Sequence, residues 1–292
     1  MLSRMFSHLG VAFMHLLSRM PLGLVRSMGW LLGWVLYALV VPRRRVVEKN
    51  LLLCFPEHSS TQTRRLVRQT FIYFAQAWLD RSWLWHGSES CVRKRLSLTG
   101  AVDALQGTQP TVIFAPHFVG MDAGATALNL LLGRPMCSIY TDQANKVLDA
   151  WIYQGRKRFG QFTLLGRAAG VRPVVTALRE GQPLYLLPDM NFGPEESIFV
   201  PFFGVQAATV PSLPRFARLG QAQVVPVISR MTPTGYQIEV MSPWTDYPTG
   251  DALADTALMN RRLEDYIRTM PAQYYWVHKR FKTRPAGEAA VY

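Results

Sequence analysis

Apolar and polar positions follow three successive patterns along this chain. At the start, residues 5–18 and 27–41 contain no Lys, Arg, Asp or Glu, with Arg19 and Arg26 between them. The second stretch, SMGWLLGWVLYALVV, carries Trp30, Trp34 and Tyr37. As a helix its 15 residues reach about 22 Å, against a hydrocarbon core of roughly 30 Å. It spans a bilayer if Arg26 snorkels, or lies in the interface with its aromatic rings at headgroup depth. Pro42 then leads into Arg43, Arg44 and Arg45 with no small-residue cleavage site, so the segment reads as a retained anchor rather than a signal peptide. The division expected is an anchor over 1–42 and a catalytic domain over 43–292. A buried core helix is the competing reading of the same apolar run.

The second pattern is helical. Residues 43–55 and 61–85 have helical spacing, broken by Pro56-Glu57-His58-Ser59-Ser60, whose Ser/Thr cluster predicts a cap. The later helix would set Phe71, Phe74, Ala75, Trp78 and Leu79 on one packing face. Residues 100–110 read as a linker. From residue 111 the third pattern begins, with short apolar runs alternating with helical stretches. Strands are expected over 111–115, 136–140, 183–187, 224–229 and 236–241, and helices over 122–132, 149–159, 171–178 and 256–269. Such alternation predicts an α/β fold, a mixed central sheet with helices on both faces, preceded by the N-terminal membrane-anchoring helix.

Composition narrows the partners. Hydrophobic residues make up 49% and charged residues 17% of 292, which excludes a disordered chain. The surplus of 32 Lys+Arg over 19 Asp+Glu gives a formal charge of +13. No zinc finger, RNP signature or basic zipper accompanies it, so no nucleic acid is expected as partner. Arg43–Arg45 directly follow the apolar segment, where a basic cluster meets anionic headgroups and favours the cytoplasmic side. Cys54, Cys91 and Cys137 are too far apart for a zinc site and too few for a disulfide framework.

The candidate chemistry lies just after the 111–115 strand. His117 and Asp122 form an H-x4-D pair, a spacing that chance supplies readily in a chain with six His and 19 acidic residues. Its position is more informative, because ligands of open α/β sheets bind beyond the carboxyl ends of strands. On one helix the two side chains would diverge by about 140°. Pro116 and Gly120 make a strand-to-helix turn that could fold His117 back against Asp122. An imidazole oriented by a carboxylate is a general base for a hydroxyl. The same pattern also suits a capping Asp and a structurally bonded His. No nucleophile elbow, HExxH or phosphate-binding glycine loop appears, which points away from a lipid hydrolase and towards direct transfer to a substrate hydroxyl. Asp189, Asn191, Phe192 and Gly193 form a polar turn after another apolar strand, followed by the Pro-bounded run 198–203. Arg156, Lys157, Arg158 and Arg167 supply guanidinium and ammonium groups suited to phosphate, or simply a solvated helix face.

With these residues in view, the chain resembles the bacterial lipid A biosynthesis acyltransferase family, the late or secondary acyltransferases within the lysophospholipid acyltransferase group. The blocks that match in order are the anchor with RRR, Asn50-Leu51…Cys54-Phe55-Pro56, the His117/Asp122 motif, PDMNFGPEES, VPFFG with AAT, and YWVHKRFKTRP from Tyr275 to Pro285. The resemblance implies transfer of a fatty acyl chain from acyl carrier protein to a hydroxyl of a phosphorylated glycolipid, a lipid A precursor, at the cytoplasmic face of the bacterial inner membrane. Inner-membrane lipids are implied as partners, with no metal and no cofactor beyond the donor thioester. Residue by residue, it implies His117 as base, Asp122 as its orienting partner, Arg156, Arg158 and Arg167 as phosphate or carbonyl contacts, and Asp189 as part of the site wall. Many members carry Glu at the position of Asp122, a polar residue and Asp in place of Met190 and Asn191, and Arg-Pro in place of Thr141-Asp142. These departures bear on the acceptor, for which a lysophospholipid or an amino-acid lipid is the alternative. From another class, a non-enzymatic module binding anionic lipid would need Arg43–Arg45 and not His117.

Overall fold

A computed structural model of the chain describes residues 2–292, with side chains from Met5 onward. Four helices come first: α1 (Leu2–Leu17), α2 (Leu22–Leu39), α3 (Val41–Cys54) and α4 (Ser60–His86). Ser59 caps α4 through a reciprocal capping box with Gln62, so the Ser/Thr cluster does what its composition predicts. On α4, Phe71, Ala75 and Leu79 are buried, and Phe74 and Trp78 lie half-buried beside them.

The helices α1 and α2 do not stand apart from the rest. Along α2, Gly29 and Gly33 bring its backbone against α4: a Cβ on Gly33 would sit 2.5 Å from Ile72 Cα, and one on Gly29 2.8 Å from Gln76 Cα. Arg26 Nε donates to the buried Asp80 carboxylate at 2.9 Å, which also accepts from Trp83 and Tyr236. That pairing compensates a charge which burial alone would make costly. Leu24, Trp30, Leu31, Val35 and Leu39 are left exposed on the outer face of α2.

After α5 (Glu89–Arg95), the strands are β1 (Leu96–Gly100), β2 (Thr111–Phe114), β3 (Met136–Tyr140), β4 (Phe162–Gly166), β5 (Leu184–Leu186), β6 (Ile198–Phe202), β7 (Val205–Thr209), β8 (Gln223–Thr232) and β9 (Gly235–Val240). Seven of them form one sheet in the order β1-β9-β8-β2-β5-β3-β4. Every neighbouring pair is parallel except β8 and β9. The mixed sheet matches the fold class that the strand–helix alternation implied. Helices α6 (Met121–Leu132), α7 (Lys146–Arg156), α8 (Arg172–Arg179), α9 (Ser212–Gly220) and α10 (Ala252–Thr269) complete the fold.

Period-two burial divides the core. On β2, Val112 and Phe114 join α8, α9 and α10, while Ile113 and Ala115 join α6 and the aromatic end of α4. The segment 198–203, read from sequence only as an apolar run, is half of a β6–β7 hairpin. Its two-residue turn puts Phe203 at φ 50° and Gly204 at φ 74°, the left-handed pair a tight hairpin needs. Edge strands β1 and β4, and helix α9, had no counterpart in the pattern. In each edge strand only the first residue is fully buried, so neither presents the apolar run that marks a central strand.

Candidate active site

Parallel pairing of β2 with β5 brings the carboxyl ends of both strands to one edge of the sheet. His117 follows β2 after the turn at Pro116, and Asp189 follows β5 after Leu187-Pro188. The two meet there. His117 Nδ1 lies 2.8 Å from Asp189 Oδ1, and the His117 backbone N–H donates to the same carboxylate at 3.1 Å. Tyr274 Oη donates to Asp189 Oδ2 at 2.9 Å. Burial alone would raise the Asp189 carboxyl, but the His117 imidazole and these hydrogen bonds hold it below its ordinary value. An ionised, buried acceptor at Nδ1 fixes the imidazole with its proton on that nitrogen, leaving the Nε2 lone pair to take a proton.

The expected pairing of His117 with Asp122 is therefore corrected. Asp122 begins α6 close by in sequence, but both its oxygens are occupied: Arg81 Nε donates to Oδ2 at 2.8 Å and Arg156 Nε to Oδ1 at 2.9 Å. Burial works against this carboxylate, yet Arg156 and Arg81 outweigh it and lower its pKa to about 2. Asp122 organises guanidinium groups, not the imidazole. Arg81, absent from the sequence-level candidates, lies over the Trp78 ring at 4.4 Å and the Trp85 ring at 5.4 Å. Its signal was present as the one cation, beside Asp80, inside the aromatic segment WLDRSWLW, where a largely buried cation needs a carboxylate.

The remaining candidates divide. Arg156 keeps both terminal nitrogens without a partner among the described residues and is partly exposed. Arg158 does not join the His117 cluster: its guanidinium donates to Leu84 O at 3.2 Å and to Gly87 O, closing the carboxyl end of α4. Arg167 pairs with Glu196 at 2.9 Å and stacks over Phe192 at 4.1 Å, beside the loop that carries Asp189.

The basic carboxyl-terminal segment has a structural part in this site. Tyr275 N–H donates to His117 O at 3.0 Å, and Phe118 pairs with Tyr274 in an isolated bridge. Asn50 of α3 donates to Trp276 O and His278 O, both at 2.8 Å. His278 Nε2 accepts from the Asn191 N–H at 2.9 Å, so it carries no proton there. Burial, and secondarily Arg280 and His117, push His278 down to about 4. A cavity of about 310 Å³ opens beside this segment, lined among others by Leu36, Val40, Phe74, Met190 and Tyr275.

A His–Asp pair beyond the carboxyl ends of two parallel strands is an arrangement able to accept and return a proton. The family model described as bacterial lipid A biosynthesis acyltransferase matches residues 1–283, and the chain belongs to that family. An Escherichia coli lipid A biosynthesis palmitoleoyltransferase is 29% identical over 291 residues, covering 97% of this chain and 93% of its own. A Haemophilus influenzae lipid A biosynthesis acyltransferase is 31% identical, covering 96% and 88%. An Escherichia coli lipid A biosynthesis myristoyltransferase is 32% identical over 255 residues, covering 86% and 78%.

Proposed function

We propose that this protein transfers a fatty acyl chain from the thioester of acyl carrier protein to a hydroxyl of a lipid A precursor. The observation that carries the reading is the 2.8 Å contact between His117 Nδ1 and the buried Asp189 carboxylate. His117 Nε2 takes the hydroxyl proton as that oxygen attacks the thioester carbonyl carbon. The C–S bond then breaks, and the departing sulfur receives the same proton from the imidazolium. Asp189 holds the tautomer and stabilises the imidazolium without itself being protonated. Arg156, oriented by Asp122, offers its unpartnered terminal N–H groups to the oxyanion or to an acceptor phosphate. The apolar cavity next to Tyr275 and Met190 suits an acyl chain.

The membrane supplies the substrate in this reading. α2 is 18 residues long with mean hydropathy 1.4, but its inner face is committed to α4 and Arg26 to Asp80. We place it in the interface of the inner membrane, on the cytoplasmic side, with Trp30, Leu31 and Val35 among the lipid and α1 presenting Phe6, Leu9 and Phe13 alongside.

The test uses purified protein, a series of acyl carrier protein thioesters and a tetra-acylated lipid A precursor, followed by mass spectrometry. Wild type should add one acyl chain. His117→Ala and Asp189→Asn should each lose roughly 10²–10⁴-fold in kcat while remaining folded. Full turnover by Asp189→Asn would sink the dyad. A gain on lysophospholipid but not on the glycolipid would keep the chemistry and replace the acceptor.

A further inference from the structure

A second cavity lies away from His117, which is not among its lining residues. It is about 640 Å³ and sits between α1, the carboxyl end of α4 and the start of α7. Its polar groups come from all three elements: His8 and His15 on α1, His86 on α4, and Lys146 on α7, with Arg158 just beyond that helix. Its lining contains no Asp or Glu. The carboxylates that act on its cations lie outside the lining: Asp142 contacts Lys146 at 3.6 Å in solvent, an arrangement of small energetic value, and Asp149 and Glu89 act on Lys146 and Arg158 respectively.

These groups are held in place. His15 and His86 stack with ring centroids 3.7 Å apart. Trp151 Nε1 donates to His86 Nε2 at 2.7 Å, and Asn145 bonds Ser7, joining α7 to α1. Burial first, then the neighbouring His15 and Arg158, lowers His86 to about 4. An anion in the cavity beside His86 would offset the positive charge that surrounds it. Trp85, another wall residue, is buried with an indole N–H that has no hydrogen-bond partner among the described residues. Val11, Val147, Ala150 and Trp151 make most of the remaining wall apolar, with Gln154 as a neutral polar group.

The cavity stripe of α1 (His8, Val11, His15) adjoins the stripe of exposed apolar residues Met5, Leu9 and Leu16 on the same helix. The ligand that fits is anionic at one end and apolar at the other, and reaches the cavity along a lipid-facing helix. We propose that this cavity binds the phosphate of a net anionic membrane lipid headgroup, a phosphomonoester rather than a zwitterionic phosphodiester, at a site separate from the acyl-transfer centre. The proposal shares with the acyl-transfer reading only the placement of α1 at a lipid surface.

Binding is measured calorimetrically on the full chain in a neutral detergent, so no turnover is needed. The probes are dihexanoyl phosphatidic acid, dihexanoyl phosphatidylcholine and inorganic phosphate. Wild type and His117→Ala should bind phosphatidic acid saturably and with equal affinity, even if the acyl-transfer reading fails. His15→Gln combined with Lys146→Gln, both at exposed positions, should weaken binding at least tenfold, about 1.4 kcal/mol, with an unchanged unfolding temperature. If the pair unfolds, Lys146→Gln alone should weaken it about threefold. Inorganic phosphate binding as tightly as phosphatidic acid would keep the phosphate site and remove the lipid from it. Unchanged affinity in the folded variant, equal binding of phosphatidylcholine, or no saturable binding to wild type would overturn the site.

Discussion

Two buried aspartates hold different partners, and single substitutions separate them. Asp189 is bonded by the His117 ring, the His117 backbone and Tyr274, while Asp122 is bonded by two arginines. Asp189→Asn keeps the shape and leaves no arginine unpaired, so under the proposed mechanism its effect should fall on kcat. Asp122→Asn leaves Arg81 and Arg156 facing a neutral amide in a buried place, and stability should fall by about 3–5 kcal/mol. Equilibrium denaturation of the two variants beside wild type checks this, and equal stability of all three would contradict it. The sign of the pH dependence follows. With its folded-state pKa lowered to about 2 from 3.8, Asp122 contributes its full stability above pH 4 and loses it as pH falls through 2. The H-x4-D spacing made His117 legible in the sequence. It could not reveal its carboxylate, because Asp189 lies 72 positions away and only the β2–β5 pairing brings it near.

At the scale of elements, small residues decide how closely α2 approaches α4. α2 contains glycines that meet α4 and one that meets nothing, which makes an internal control. A side chain at Gly33 would strike the Ile72 backbone at 2.5 Å, whereas a Cβ at Gly23 has no neighbour within 4 Å. Gly33→Leu should destabilise by about 1–3 kcal/mol or more, because backbone cannot yield as a side chain does. Gly23→Ala should be neutral or stabilising, as Ala is the better helix former. Thermal unfolding in detergent distinguishes them, and an unaffected Gly33→Leu would mean that α2 is not docked on α4. The hydrophobic run of α2 was plain in the sequence, as were β2, β3 and α4, since each is long or continuously apolar. What its glycines were for was not, because a close helix approach depends on the partner surface. The edge strands β1 and β4 escaped for the complementary reason: half-buried or exposed beyond their first residue, they lack the pattern that burial imposes.

For the whole molecule, the chain is tied at its two ends around the site, and protons can loosen that tie. α3 holds the carboxyl-terminal segment through Asn50, and that segment holds the Asp189–Gly193 loop through His278. His278 serves only as the neutral acceptor of the Asn191 N–H, and its folded-state pKa of about 4 is below the ordinary 6.5. In the window between these values the unfolded chain binds a proton that the folded chain refuses. Stability is therefore complete above pH 6.5 and declines as pH falls towards 4. His86, lowered in the same direction but more open to solvent, adds a smaller part. The loss attributable to His278 between pH 6.5 and 5 is roughly 2 kcal/mol. His278→Gln, whose side-chain oxygen can accept from the same N–H, should flatten that slope while activity at pH 7.5 stays within a few-fold of wild type. Denaturant titrations at pH 7.5, 6.5, 5.8 and 5.0 measure it, and an identical slope in the variant would show that His278 is not the group that titrates. The sequence displayed the closing YWVHKRFKTRP block without its purpose. A basic run looks like a lipid or phosphate contact. Only the fold reveals that Arg280 is buried against Ala208 and Thr209 of the hairpin, and that the histidine beside it acts by staying uncharged.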